Sequence, residues 1–255
     1  MVISEIRCQE RELHGVGASA PGLGRPAGLT AAVVVAVAIA LAPAGAQAPD
    51  HNTLTAEERA AGWRLLFDGT TTDQWRAYRR ETLPAGWQAV DGTLARVSRA
   101  TDIVTKDQFA DFDFKFDWQI APGGNSGVMF YVTEDGEATY HSGPEYQVLD
   151  NGAHADGKSA LTSSGSCYAL YAPPRDVTRP IGEWNQGRIV AIGGKVEHWL
   201  NGEKVVEYDL NSAEWKAKVA GSKFDEWKQF GTTRRGHIAL QEHGSRVAYR
   251  NLKIK

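Results

Sequence analysis

Cysteine is nearly missing from this chain, and the little that is there cannot pair. Of two cysteines in 255 residues, Cys8 lies in an N-terminal stretch that reads as removable. Cys167 is then alone, which excludes an internal disulfide and leaves stability to packing. An excess of one charge sign is missing too. With 28 Lys and Arg against 31 Asp and Glu, the net charge is −3, so neither nucleic acid nor an anionic membrane surface is indicated as a partner. Residues 58–255 contain no internal repeat and no low-complexity tract, and the chain has no compact metal signature such as H-E-x-x-H. Long apolar runs are scarce. The main one, about Leu29 to Pro43, is short for a membrane span.

What surrounds that run gives it a meaning. Arg7, Arg11 and Arg25 precede it, no charge falls between Arg25 and Asp50, and Ala44-Gly45-Ala46 supplies a small-x-small pattern. Residues 1–46 therefore read as a signal peptide cleaved after Ala46, giving a periplasmic or secreted product with no stable membrane insertion after cleavage. The alternatives are an uncleaved anchor and a true start downstream of Met1. The segment carries three Arg and three Glu, so its loss leaves the net charge unchanged. Residues 47–57 read as a polar linker and 58–255 as one domain. Thr55 with Glu58 three places on forms a capping box for a short helix.

The rest of the chain is mostly strand. In "FDFKFDWQI", Phe112, Phe114, Phe116, Trp118 and Ile120 take one face while Asp113, Lys115, Asp117 and Gln119 take the other. Asn201-Gly202 between two strand-like runs is a type I′ hairpin signal. Further strands fit 87–97, 102–105, 126–132, 144–149, 166–171 and 187–193, and a last pair turns at Gly244. Only 211–230 has helical composition, and its lack of an apolar stripe suggests a surface insertion. Ten or more short strands without alternating helices predict an all-β, antiparallel two-sheet sandwich. All eight Trp fall after residue 46, an aromatic load that suits such a core and, where exposed, sugar rings.

Strand parity selects the candidate site. In "PEYQVLD", Tyr146 and Val148 are the core set, which turns Glu145 and Gln147 outward and leaves Asp150 at the strand end. In "GHIALQEHG", Ile238 and Leu240 face the core, which turns Gln241 and His243 outward. On a curved sheet the two polar pairs converge. In the last strand, Val247 and Tyr249 differ in parity from Leu252 and Ile254. A bulge near Arg250-Asn251 reconciles them and makes Arg250 a candidate anchor. His198 shares parity with Val196 and Leu200 and reads as a packed histidine, and Cys167 as buried and inert. His51 and His154 read as loop surface.

"LLFDGTTTDQW", "GGNSGVMFYV", "SGPEYQVLDN", "GEWNQGRIV", "VEHWLNGEKVVEY", "GHIALQEHG" and "YRNLKI" occur in the order found in the DUF1080 family, the 3-keto-disaccharide hydrolase domain, which the chain resembles from about Gly62 to Lys255. The resemblance implies a concanavalin A/laminin-G-like jelly roll with a concave glycan-binding face, export, and cleavage of glycosides oxidised to a ketone at carbon 3. Many members carry an arginine in the strand after "NSG", where this chain has Phe130 and Tyr131, so a substrate contact made by that arginine is absent here.

The implied chemistry names roles. A ketone at carbon 3 acidifies the carbon 2 hydrogen, so the anomeric substituent can leave by elimination and water can add back. A histidine suits the base at neutral pH and a carboxyl in a partly apolar groove the acid. His243 and Glu145 take these roles, with His141 competing for either. Asn125, Gln147 and Gln241 would contact sugar hydroxyls, with Asp150 beside them, and Arg250 or a metal would steady the enolate oxygen. Retaining hydrolysis is also drawable, with the Glu145 and Asp150 carboxyls about 5 to 5.5 Å apart, but their opposite parity argues against it. No cofactor is specified. A divalent metal held by His141, Glu145 and His243 is one option, and calcium at the acidic turn Glu134 to Glu137 another. The reading that competes with an enzyme is a non-catalytic carbohydrate-binding module using the same groove; a purely structural domain is the third.

Overall fold

A computed structural model describes residues 51–255; the expected leader lies outside the described residues. Thr55 caps α1 (Ala56–Ala60): its hydroxyl accepts from Glu58 N, and the Glu58 carboxylate accepts from Thr55 N at 3.1 Å, the capping box expected. The residues before the helix are fastened down. Asn52 N donates to Asn251 Oδ1 at 2.7 Å and Asn251 N to Asn52 Oδ1 at 2.8 Å.

The strands are β1 (Arg64–Leu65), β2 (Trp75–Ala77), β3 (Trp87–Val90), β4 (Thr93–Arg96), β5 (Ile103–Thr105), β6 (Phe112–Ile120), β7 (Asn125–Val132), β8 (Glu145–Leu149), β9 (Asn185–Ile192), β10 (Lys195–Leu200), β11 (Glu203–Asp209), β12 (His237–Leu240) and β13 (Val247–Ile254). They form two antiparallel sheets. One runs β11-β10-β9-β6-β13-β4-β3 with β1 against β13, and the other β2-β5-β12-β7-β8. This is the all-β, two-sheet sandwich that the short alternating strands predict.

The core lies between the sheets. All five apolar residues of β6 are buried, and Tyr146, Val148, Ile238 and Leu240 join them from the five-stranded sheet. Phe116 and Tyr146 meet edge to face at 5.2 Å across the interface. Each such side chain contributes roughly 1.5–3 kcal/mol by leaving water. Asn201 (φ 51°) and Gly202 (φ 86°) make the β10–β11 turn, as the dipeptide requires.

Three local expectations are corrected. β12 and β13 are not a hairpin: Gly244 turns the chain out of one sheet and into the other. Residues 166–171 form no regular strand but follow the free edge of β8, with Tyr168 N donating to Glu145 O at 3.0 Å and Ala169 at φ 61° interrupting the pairing. The segment 211–230 is not a surface insertion. It holds α2 (Ala213–Ala220), and its Trp215, Phe224 and Phe230 are buried. Trp215 stacks on Tyr208 at 5.3 Å and Phe224 on Phe230 at 4.1 Å. No helical stripe shows because most of the packing comes from aromatics outside the helix.

Candidate active site

β8 pairs with β7 so that Gln147 lies opposite Gly127 and Glu145 opposite Met129. Gln241 N bonds Gly127 O from the other side at 2.9 Å, so Gln241, Gly127 and Gln147 form one row across the sheet. Glu145 leans over the gap in that row. A methyl group on Gly127 would collide with its Oε1; the glycine is what lets the carboxyl lie against the sheet. There Glu145 is 8 % exposed. Burial raises its pKa to about 8, an effect that the Lys223 ammonium opposes and the Asp102 and Asp156 carboxylates reinforce. At neutral pH it is a carboxylic acid with a proton to give.

The carboxyl opens on a cavity of about 320 Å³ lined by Asn125, Gln147, Gln241 and His243, and by Tyr140, Tyr168, Lys223, Phe224 and Trp227. His243 is exposed and has no hydrogen-bond partner among the described residues. Lys223 Nζ sits 4.5 Å from the Tyr168 ring centre and has no ion pair among the described residues. Asn125 Oδ1 and Gln241 Oε1 are buried acceptors without partners among the described residues. Unmet acceptors of this kind cost about 1–3 kcal/mol each and await hydroxyl donors. Asn125 Nδ2 and Tyr168 Oη both donate to Asp156 Oδ2, at 3.4 and 3.3 Å. At the mouth, Trp227 meets the Tyr140 ring at 5.2 Å, and Tyr140 is exposed.

Other sequence candidates fall elsewhere. Asp150 accepts from Gly123 N at 2.7 Å and Gly152 N at 3.0 Å and faces a different cavity. It shapes a turn, and the retaining pair with Glu145 is not assembled. The bulge at Arg250-Asn251 is present, with Asn251 at φ 53°, but β13 belongs to the other sheet. Arg250 there pairs with Asp117 at 3.3 Å and covers Trp184 at 4.0 Å. His141 stacks flat on Trp227 at 4.5 Å and does not line the cavity, so the three-residue metal site does not form. Among the described residues no three His, Cys, Asp or Glu are grouped to hold a metal ion. In the acidic turn, Glu134 is taken up by Arg76 at 2.6 Å. His198 is buried against Gly165 O and Tyr208 Oη, both at 3.1 Å, and burial holds its pKa down to about 4. Burial also raises the Cys167 thiol to about 12. Phe130 and Tyr131, where an arginine is common in the family it resembles, are both fully buried in the core.

A family model for the 3-keto-alpha-glucoside-1,2-lyase-like domain matches residues 62–255. The chain belongs to that family. A Bacteroides thetaiotaomicron protein named 3-keto-disaccharide hydrolase is 32% identical over 241 residues, which is 82% of this chain and 83% of that protein. A crystal structure from Parabacteroides distasonis, provisionally described as a glycosyl hydrolase, is 36% identical over 81% of this chain and 99% of its own, with a TM-score of 0.76. A second structure from that organism, with the same description, is 30% identical over 76% of this chain and 98% of its own at a TM-score of 0.65.

For a member of this family, the segment between β11 and β12 supplies what the strands alone do not. Lys223, Phe224 and Trp227 all come from it. Periodicity could not find them, since they sit on a single 3-10 turn and the loop after it. The signal that was there is density: Trp215, Phe224, Trp227 and Phe230 fall within sixteen residues.

Proposed function

We propose that this protein cleaves glycosides carrying a ketone at carbon 3, by elimination and rehydration in the cavity around Glu145. Family membership supports a carbohydrate-cleaving enzyme. The observation that carries the finer reading is one small cavity holding a buried carboxyl together with an imidazole and an ammonium that have no partners among the described residues. In the proposed sequence, His243 takes the carbon 2 hydrogen as a proton, and the electron pair moves into the ketone to give an enolate whose oxygen Lys223 faces. The enolate collapses to a carbon 1–carbon 2 double bond as Glu145 protonates the departing anomeric oxygen. Water then adds at carbon 1, giving a proton back to the Glu145 carboxylate, while carbon 2 recovers its proton from His243. The sum is hydrolysis. Asn125 and Gln241 accept from sugar hydroxyls, and Trp227 with Tyr140 offers an apolar face to the departing group.

That aromatic mouth also suits the second reading, a binding module. Incubation with 3-keto-glucosides and with the unoxidised parents, following aglycone release by wild type, Glu145→Gln and His243→Ala, separates the two. Release by wild type from the keto substrates alone, lost in both variants, is expected of the enzyme. Binding without release by the folded wild type would leave only the module.

Export is part of the proposal and is supported by the leader-like residues 1–46. No helix among the described residues is long and apolar enough to cross a membrane. Sequencing of the mature N-terminus from periplasm and medium checks it, with Gln47 expected first.

A further inference from the structure

The Glu145 carboxyl has two oxygens, and the reaction proposed above needs the proton on the one that faces substrate. We propose that Gln147 is the positioning residue that decides this, holding Oε1 as an acceptor so that the acidic hydrogen resides on Oε2. The inference rests on the role given to Glu145.

Gln147 is fully buried, so it cannot serve as the sugar contact that its outward parity suggests. Its amide nitrogen lies 3.0 Å from Glu145 Oε1 and 3.0 Å from Ser126 O. This orientation follows from the hydrogen-bond network: reversed, the amide oxygen would lie 3.0 Å from the Ser126 carbonyl oxygen, which has no hydrogen to give. An NH₂ group has two hydrogens, and both are then used. Oε1 receives a hydrogen and cannot offer one in that direction. Gly127 makes room for the same oxygen against the sheet, because a Cβ there would collide with it. Among the described residues no group bonds Oε2. The groups whose charge reaches Glu145 are Lys223, Asp102 and Asp156, with the phenols of Tyr168 and Tyr249, the Cys167 thiol and His243 around them. None of them donates to Oε1, so the placement falls to Gln147.

The test is kcat and KM against pH on a 3-keto-glucoside, with melting temperature measured in parallel. Gln147→Met keeps the volume and removes the donor. Its kcat is expected to fall roughly 10–100-fold with KM within about twofold. Its alkaline limb should move up, because the lost N–H bond had favoured the ionised form. Gln147→Glu can donate to Oε1 only while protonated, so it should approach wild-type turnover in acid and lose it at lower pH than wild type. If the first variant does not fold, the second carries the test alone. Wild-type kcat with both limbs in place in either variant overturns the assignment. Turnover retained by Glu145→Gln would instead remove the role of Glu145 itself, which separates the two failures.

Discussion

The outer faces of the two sheets are built to opposite rules. On the eight-stranded sheet the charges are matched: Arg188 grips Asp113 with two bonds of 2.7 Å, Arg250 meets Asp117 at 3.3 Å and Lys253 meets Glu58 at 2.7 Å. At the Glu145 end of the five-stranded sheet the polar and ionisable groups are left unmatched. Glu145, His243 and Lys223 have no ion pair among the described residues, and two buried amide oxygens have no donor. Matched charges hold a surface in one shape. Unmatched ones are costly to the fold, and that cost is recovered when a ligand supplies the partners.

Breaking the unmatched face should abolish activity without loss of stability. Glu145→Gln or His243→Ala is expected to lower turnover of 3-keto-glucosides by roughly 10²–10⁴-fold, read by aglycone release. Lys223→Met should lower kcat by roughly 10²–10³-fold, since it removes the ammonium that, among the described residues lining the cavity, can meet the enolate. A smaller loss would point to the backbone as the stabiliser.

Stability should show the same contrast with pH. Glu145 binds its proton more tightly folded than unfolded, so its contribution is fully present below the unfolded pKa, near 4.5, and is lost as pH rises through about 8. Denaturant titrations across that window should show wild type losing stability on the order of 4–5 kcal/mol, with no such slope from this site in Glu145→Gln. Turnover should fall over the same alkaline range as the acid loses its proton.

On the matched face the effect should be structural and smaller. Arg188→Met leaves Asp113 buried without its partner, but the arginine is about a third exposed, so a loss of about 1–2 kcal/mol is expected. Melting temperature should fall and kcat hold. A kcat that fell with it would mean that the two faces are coupled.

How far the sequence reveals this contrast depends on which periodicity is asked. Two-residue alternation says which way a side chain points, and it assigned Glu145, Gln147, Gln241 and His243 to one face as the structure has them. It does not say which sheet a strand joins. Gly244 sends β13 into the opposite sheet, so Arg250, on a correctly placed bulge, ends on the matched face. Asp150 is a different case: a carboxylate at a strand end serves a turn as readily as a site, and here it is held by backbone N–H groups. Lys223 and Trp227 were invisible because aromatic packing outside any regular element leaves no period to read.

The Asn52–Asn251 clasp bears on how the molecule could be used. It draws the start of the described chain onto the last strand, both on the sheet opposite the Glu145 cavity. A protein attached to a solid support through the end of β13 would therefore present its cavity to the flowing solution, and a label placed there would report on tethering without standing in the path of a sugar.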